Sequence, residues 1–206
     1  MRIERFVVGS IETNAWLIES EGEAFLVDPG AEDQALLTAA SQAGLVGVFL
    51  THGHVDHIAG LRPFIGQGVR VFIGGLDAAA LYDPRVNLSV WMGQPFSVPE
   101  CVPQTLTGGE TLVFGEMHCQ VLHLPGHSPG SIGLLVNGHL FSGDVLFQSS
   151  IGRTDLPGGD FQTLQQSIRE TLYRLPDGTI VHPGHGDDTT IRAEKNDNQY
   201  CRIEKG

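Results

Sequence analysis

The run Thr51-His52-Gly53-His54-Val55-Asp56-His57 places three imidazoles and one carboxylate within six positions. Imidazole and carboxylate are the donors that bind zinc and other divalent first-row metals. His52 and His54 are separated by one residue, so in an extended segment they face the same way and can grip one ion. Asp56 and His57 are adjacent at the predicted start of a helix and must diverge, which suits them to a second ion. Three more donors follow predicted strands, each behind a glycine that permits a tight turn: His127 in Pro125-Gly126-His127, Asp144 in Ser142-Gly143-Asp144, and His185 in Pro183-Gly184-His185. His127 completes a three-histidine set with His52 and His54. His185 completes the set of Asp56 and His57, and Asp144 has two oxygens to share between them. Two ions about 3.5–4 Å apart could hold a hydroxide that is nucleophilic at neutral pH.

Four histidines fall outside this scheme. His118, His123 and His139 read as strand or surface residues, and His182 as an outer partner of a ligating histidine. A lone Asp in Ser-Gly-Asp, or a lone His after Pro-Gly, is by itself an ordinary turn residue. It is the dense run at 52–57 that raises the downstream sites to metal ligands.

The elements must bring these positions to one place. Apolar Val46 to Leu50 reads as a buried strand ending at the histidine run. Before it, Arg2–Val8, Thr13–Glu19 and Glu23–Val27 read as antiparallel strands, and Ala31–Ala43 as a helix closed by Gly44. A helix is expected from Asp56 to Ile65, with Pro63 a possible break. A strand at Arg70–Ile73 and a short helix at Leu76–Tyr82 follow. Prolines 84, 95, 99 and 103 make the stretch from Asp83 to Gln104 an irregular connection. Strands resume at Glu110–Phe114, Met117–Leu124, Ser131–Val136 and His139–Phe141. The helical spacing of Phe161, Leu164, Ile168 and Leu172 predicts a helix from Asp160 to Leu175, and Thr179–His182 is the last strand. Each half thus runs strands first, then a strand–helix alternation. The pattern implies two similar α/β halves with sheets face to face and helices outside.

The chain of 206 residues can bury a substantial core as one domain. A formal net charge of −12 argues against nucleic acid or an anionic membrane as partner. Cys101, Cys119 and Cys201 are far apart and in no metal or redox pattern, as expected of reduced thiols in the cytoplasm. The N-terminus has no apolar leader, and no apolar run approaches a transmembrane span. Nothing in the sequence speaks to oligomeric state.

The order His52-x-His54-x-Asp56-His57, His127, Asp144, His185 resembles the metallo-β-lactamase superfamily, from Asn14 and Asp28-Pro29-Gly30 through His185. The resemblance implies an αββα sandwich with the metal site at the edge of the sheets. It assigns His52, His54 and His127 to one metal, Asp56, His57 and His185 to the other, and Asp144 to both. The stretches Gly143-Asp144-Val145-Leu146-Phe147 and Ser150-Ile151-Gly152-Arg153-Thr154-Asp155-Leu156 are similar to the glyoxalase II-like branch, which cleaves thioesters such as S-lactoylglutathione. The Asp144 bridge argues against the antibiotic-cleaving lactamases. Little chain follows His185, so the helical substrate domain of glyoxalase II proper is not expected. The implied activity is hydrolysis of a small-molecule thioester by two divalent ions, zinc with iron or manganese as alternatives. Asp56 would orient the attacking hydroxide, and Arg153 is the candidate for an anionic group of the substrate, unless it serves a salt bridge within its own loop. Lys195 is a weaker candidate. A persulfide dioxygenase with one Fe(II) shares the same residues and is the rival enzyme. A non-catalytic metal-bound sensor or interaction module is the third reading.

Overall fold

A strand buried on both faces has apolar side chains at every position, and sorting them by parity shows what each face meets. Along Thr13–Ser20, Ala15 and Leu17 point to one core while Trp16 and Ile18 point to another. In Leu45–Leu50, Val48 and Leu50 join the first core and Phe49 the second. These are the outer and inner faces of one sheet in the computed structural model, which describes residues 1–66 and 68–202.

That sheet has six strands in sequential order: β1 (Arg2–Val8), β2 (Thr13–Ser20), β3 (Glu23–Val27), β4 (Leu45–Leu50), β5 (Arg70–Gly74) and β6 (Gln104–Leu106). The first three pair antiparallel, and β4, β5 and β6 add in parallel. In the second half come β7 (Thr111–Phe114), β8 (Met117–His123), β9 (Ile132–Val136) and β10 (His139–Gly143), then a hairpin of β11 (Leu146–Phe147) and β12 (Ser150–Ile151), then β13 (Ile180–Pro183) and β14 (Thr189–Thr190). The second six-stranded sheet has the order β14-β13-β10-β9-β8-β7, with β13 parallel to β10. Between the sheets, Phe25, Phe49 and Phe72 meet Phe114, Val121, Leu134 and Phe141. Phe25 stacks on Phe114 with ring centroids 3.9 Å apart. Each fully buried phenylalanine here contributes about 2–3 kcal/mol.

Helices cover the outer faces, α1 (Gln34–Gln42) and α2 (Val55–Ile58) on the first sheet, α3 (Phe161–Gln166) and α4 (Ile191–Asp197) on the second. The result is the expected αββα sandwich. α1 starts three residues later than expected, because Asp33 accepts the Leu36 N–H at 2.9 Å and caps it. The helix expected over Asp56–Ile65 is α2 followed by a 3₁₀ turn at Arg62–Phe64. Gly60 interrupts it: its N–H donates to Pro29 O, and a Cβ there would lie 2.3 Å from Ala31 O. The element at Gly75–Leu81 is 3₁₀. The helix expected over Asp160–Leu175 is α3, a π turn at Ser167–Thr171 and a 3₁₀ turn at Leu172–Arg174. The wide turn keeps Leu164, Ile168 and Leu172 on the core and brings Tyr173 in beside them. β6, β11, β12, β14 and α4 had no expected counterpart. No helix among the described residues is long and apolar enough to cross a membrane.

Candidate metal centre

Parallel strands end together, so residues that follow their C-termini meet at one rim. β4 delivers the histidine run, with His54 at the N-cap of α2 and Asp56 and His57 in its only turn. The turn after β8 brings His127, Asp144 follows the end of β10 and His185 the end of β13. The two sheets are tied at this rim by the Asn14 N–H, which donates to Gly184 O at 2.7 Å, and by a bridge between Thr13 and His185.

The structure brings all seven predicted donors together. His52 Nε2, His54 Nδ1 and His127 Nε2 form a triangle with edges of 3.0, 3.2 and 2.9 Å. A tetrahedral ion about 2.0–2.1 Å from each nitrogen would need edges of about 3.3 Å, a few tenths wider. Beside it, His57 Nε2 lies 3.3 Å from Asp56 Oδ2, which lies 3.2 Å from His185 Nε2. Asp144 sits between the sets, Oδ1 at 3.4 Å from His57 Nε2 and Oδ2 at 3.7 Å from His127 and 3.6 Å from His185.

The outer hydrogen bonds decide which ring nitrogens carry protons. His57 Nδ1 donates to Asp28 Oδ2 at 2.8 Å, and His127 Nδ1 to Arg153 O at 2.8 Å. Thr51 Oγ1 donates to Asp28 Oδ2 at 2.6 Å, which leaves it to accept from His52 Nδ1 at 3.1 Å. The inward Nε2 atoms of His52 and His127 are therefore bare lone pairs. Lone pairs about 3 Å apart repel unless a cation lies between them. His57 Nε2 and Asp144 Oδ1 are buried and have no hydrogen-bond partner among the described residues. These observations fit a metal in each set.

The electrostatics agree. Burial, with the neighbouring His57, His54 and His127, pushes His52 well below the usual histidine range, and burial beside His127 takes His54 down to about 4. Burial opposes charge on His57, but Asp56, Asp144 and Asp28 overcome it and raise its pKa. Burial likewise opposes ionisation of Asp56 and Asp144, and the surrounding imidazoles, His57 first, hold both below the usual carboxylate range.

The sequence profile of the metallo-β-lactamase superfamily matches residues 9–185. The chain belongs to the metallo-β-lactamase superfamily. Within the superfamily, a Haemophilus influenzae protein named hydroxyacylglutathione hydrolase GloC is 36% identical over 208 residues, which are 97% of this chain and 98% of that one. Among solved structures, the B3 metallo-β-lactamase BLEG-1 superposes with a TM-score of 0.92 at 37% identity, covering 97% of this chain and 99% of its own. TTHA1623, solved in a di-iron-bound form, superposes with a TM-score of 0.84 at 35% identity, covering 96% and 99%.

Two carboxylates carry this superfamily site without touching its centre. Asp28, at φ 49°, accepts from Thr51 N, Thr51 Oγ1 and His57 Nδ1. Asp77 Oδ2 accepts from Gly53 N at 3.0 Å and Ser128 Oγ at 2.6 Å, and its Oδ1 from Gly130 N at 2.8 Å. It clamps the loop holding His52 and His54 to the loop holding His127. In the sequence Asp28 stands out only within the Asp28-Pro29-Gly30 stretch, and Asp77 is one polar residue of the expected helix at Leu76–Tyr82. A non-glycine residue before Pro-Gly was the available signal for the first; the second had none.

His182 is a correction. It packs at a tilt against Trp16 and stacks on Phe141 and His139, with Nε2 2.9 Å from His139 Nδ1 and Nδ1 3.1 Å from Asp188. His182 is buried among these rings instead of beside a donor. Arg153 lies in the cleft above the donors, with Nε and Nη2 each 2.8 Å from an oxygen of Asp155. Lys195 pairs with Asp177 at 2.7 Å.

Proposed function

We propose that this protein is a metal-dependent hydrolase of small acyl thioesters. The observation that carries the reading is the pair of adjacent donor sets, with Asp144 lying between them, opening on a cleft of about 530 Å³. In this reading His52, His54 and His127 hold one divalent ion, Asp56, His57 and His185 the other, and Asp144 faces both. Zinc, iron and manganese all suit these donors, and the di-iron relative keeps iron in contention. A bound pair supplies a Lewis acid for the carbonyl oxygen and a water-derived nucleophile at neutral pH.

The protein's own part is placement. Asp28 and Thr51 fix His57 and His52 in one tautomer each, and Asp77 keeps the two loops in register. Asp56 is held ionised and faces the cleft, where it can accept a proton from attacking water. The three cysteines are buried away from the cleft, so attack needs no protein nucleophile. The similarity to GloC supports a thioester and makes S-lactoylglutathione the first substrate to assay.

The experiment combines metal analysis with thioester turnover in wild type, His54→Ala and Asp56→Ala. Two ions and rapid cleavage in wild type, with metal and rate lost together in the variants, support the reading. Full cleavage by metal-free protein overturns it. The similarity to BLEG-1 favours a second reading, β-lactam hydrolysis, and a chromogenic cephalosporin assayed on the same preparation decides between them. Oxygen uptake with glutathione persulfide would point instead to the iron dioxygenase chemistry.

A further inference from the structure

The substrate's non-reacting part must sit against the walls of the cleft, and those walls are largely apolar. Ile11, Leu88, Trp91, Met92, Phe147 and Leu156 line it around the donors. Trp91 and Met92 are 66% and 51% exposed, so together they present a large apolar surface to solvent at the cleft.

Their loop is built, not slack. The buried side chain of Asn87 donates to Ala80 O at 2.7 Å and to Phe96 O at 2.9 Å, and its carbonyl oxygen accepts from Ser89 N. Buried Ser89 Oγ accepts from Phe96 N at 2.9 Å. Asn87 O accepts from Val55 N at 2.9 Å, which fixes the loop to the start of α2, one residue from Asp56. Leu88 takes φ 67°, a conformation that bulky residues seldom adopt, and it faces the cleft. Two buried polar anchors therefore hold an apolar lip at a set height over the metal donors.

Charge points the same way. Among the described residues lining the cleft, Arg153 alone carries a permanent positive charge, and Asp155 engages it with both oxygens. A glutathione thioester brings two carboxylates, for which the lining offers no second cation.

We infer that the cleft selects thioesters whose groups flanking the carbonyl are uncharged and apolar, with Trp91 and Met92 as the selecting surface. This rests on the thioesterase reading above and narrows it. The preferred substrate is an acyl thioester of a neutral thiol rather than of glutathione.

The test uses the metal-loaded protein and the acetyl, butyryl and hexanoyl thioesters of N-acetylcysteamine, with S-lactoylglutathione as the charged comparison. Each methylene buried on the lip is worth about fourfold. The expected kcat/KM is therefore at least about tenfold higher for hexanoyl than for acetyl, and higher for hexanoyl than for S-lactoylglutathione. Trp91→Ser with Met92→Ser, both solvent-facing and so compatible with folding, should bring the hexanoyl-to-acetyl ratio close to one. An unchanged ratio in that variant, or faster turnover of S-lactoylglutathione than of the hexanoyl thioester, overturns the inference and leaves thioester hydrolysis standing. Cleavage of none of the four removes the proposed function, and the inference with it.

Discussion

Replacing Asp77 by alanine should both destabilise the protein and loosen the three-histidine set. The carboxylate is buried and accepts three hydrogen bonds, from Gly53 N, Ser128 Oγ and Gly130 N. Ser128 keeps a partner in Ser131 Oγ at 2.7 Å, so the truncation orphans two backbone N–H groups. Each orphaned buried donor costs about 1–3 kcal/mol. The expected loss is thus about 2–6 kcal/mol, a large part of a total stability of about 5–15 kcal/mol. Asp77→Asn keeps the shape and presents an amide to one donor in place of an oxygen, so it should lose about half as much. Because the freed loops carry His52, His54 and His127, affinity for the ion they hold should fall about 10- to 100-fold, the usual cost of removing an outer partner. Urea unfolding of the metal-free protein reads the first effect, and competition with a chromophoric chelator the second. A loss under about 1 kcal/mol together with unchanged metal affinity would refute the clamp.

Gly184→Ala should cost the site of Asp56, His57 and His185 its ion, since a Cβ there would lie 2.2 Å from Asp144 Oδ1 and 2.6 Å from His57 Cε1; metal stoichiometry falling by one, with the fold intact by circular dichroism, checks this. Burial pushes the Cys101 thiol up to about 11 and Cys119 up to about 12, so a thiol reagent at neutral pH should label neither in the folded protein and both after denaturation. Burial, against the pull of Asp188, lowers the pKa of His182 below its ordinary 6.5. The folded state then binds fewer protons than the unfolded one, so this contribution is intact above 6.5 and lost as pH falls below it. His182→Gln should flatten the acid limb of a stability–pH curve just below 6.5.

The candidate donors were legible because their chemistry is written in short range. Four donors in one run, and a glycine before each later one, are local facts that any strand end would converge. Their supports were not. Asp77 stands 24 positions from Gly53 and 53 from Gly130, and a lone carboxylate at a helix start has the same local signature whether it caps the helix or anchors two distant loops. The same holds for α4, whose short polar run hides Glu194; only the fold shows that this buried carboxylate receives Thr189 Oγ1 at 2.6 Å, Asn198 Nδ2 and the Ser149 N–H. The strands were readable from their apolar runs. The breaks at Gly60 and Ser167 were not, because helical spacing of apolar residues survives both.

Asp56 and His185 stand 129 positions apart in the chain and 3.2 Å apart in space. An ion held by both would act as a cross-link across nearly two thirds of the polypeptide. By the loop-entropy argument used for disulfides, closing a loop of that length is worth about 5 kcal/mol. During synthesis the first four donors leave the ribosome together, but the staple cannot close until His185 has emerged. Capture of the ion shared by Asp56 and His185 would therefore come after the three-histidine set is already complete.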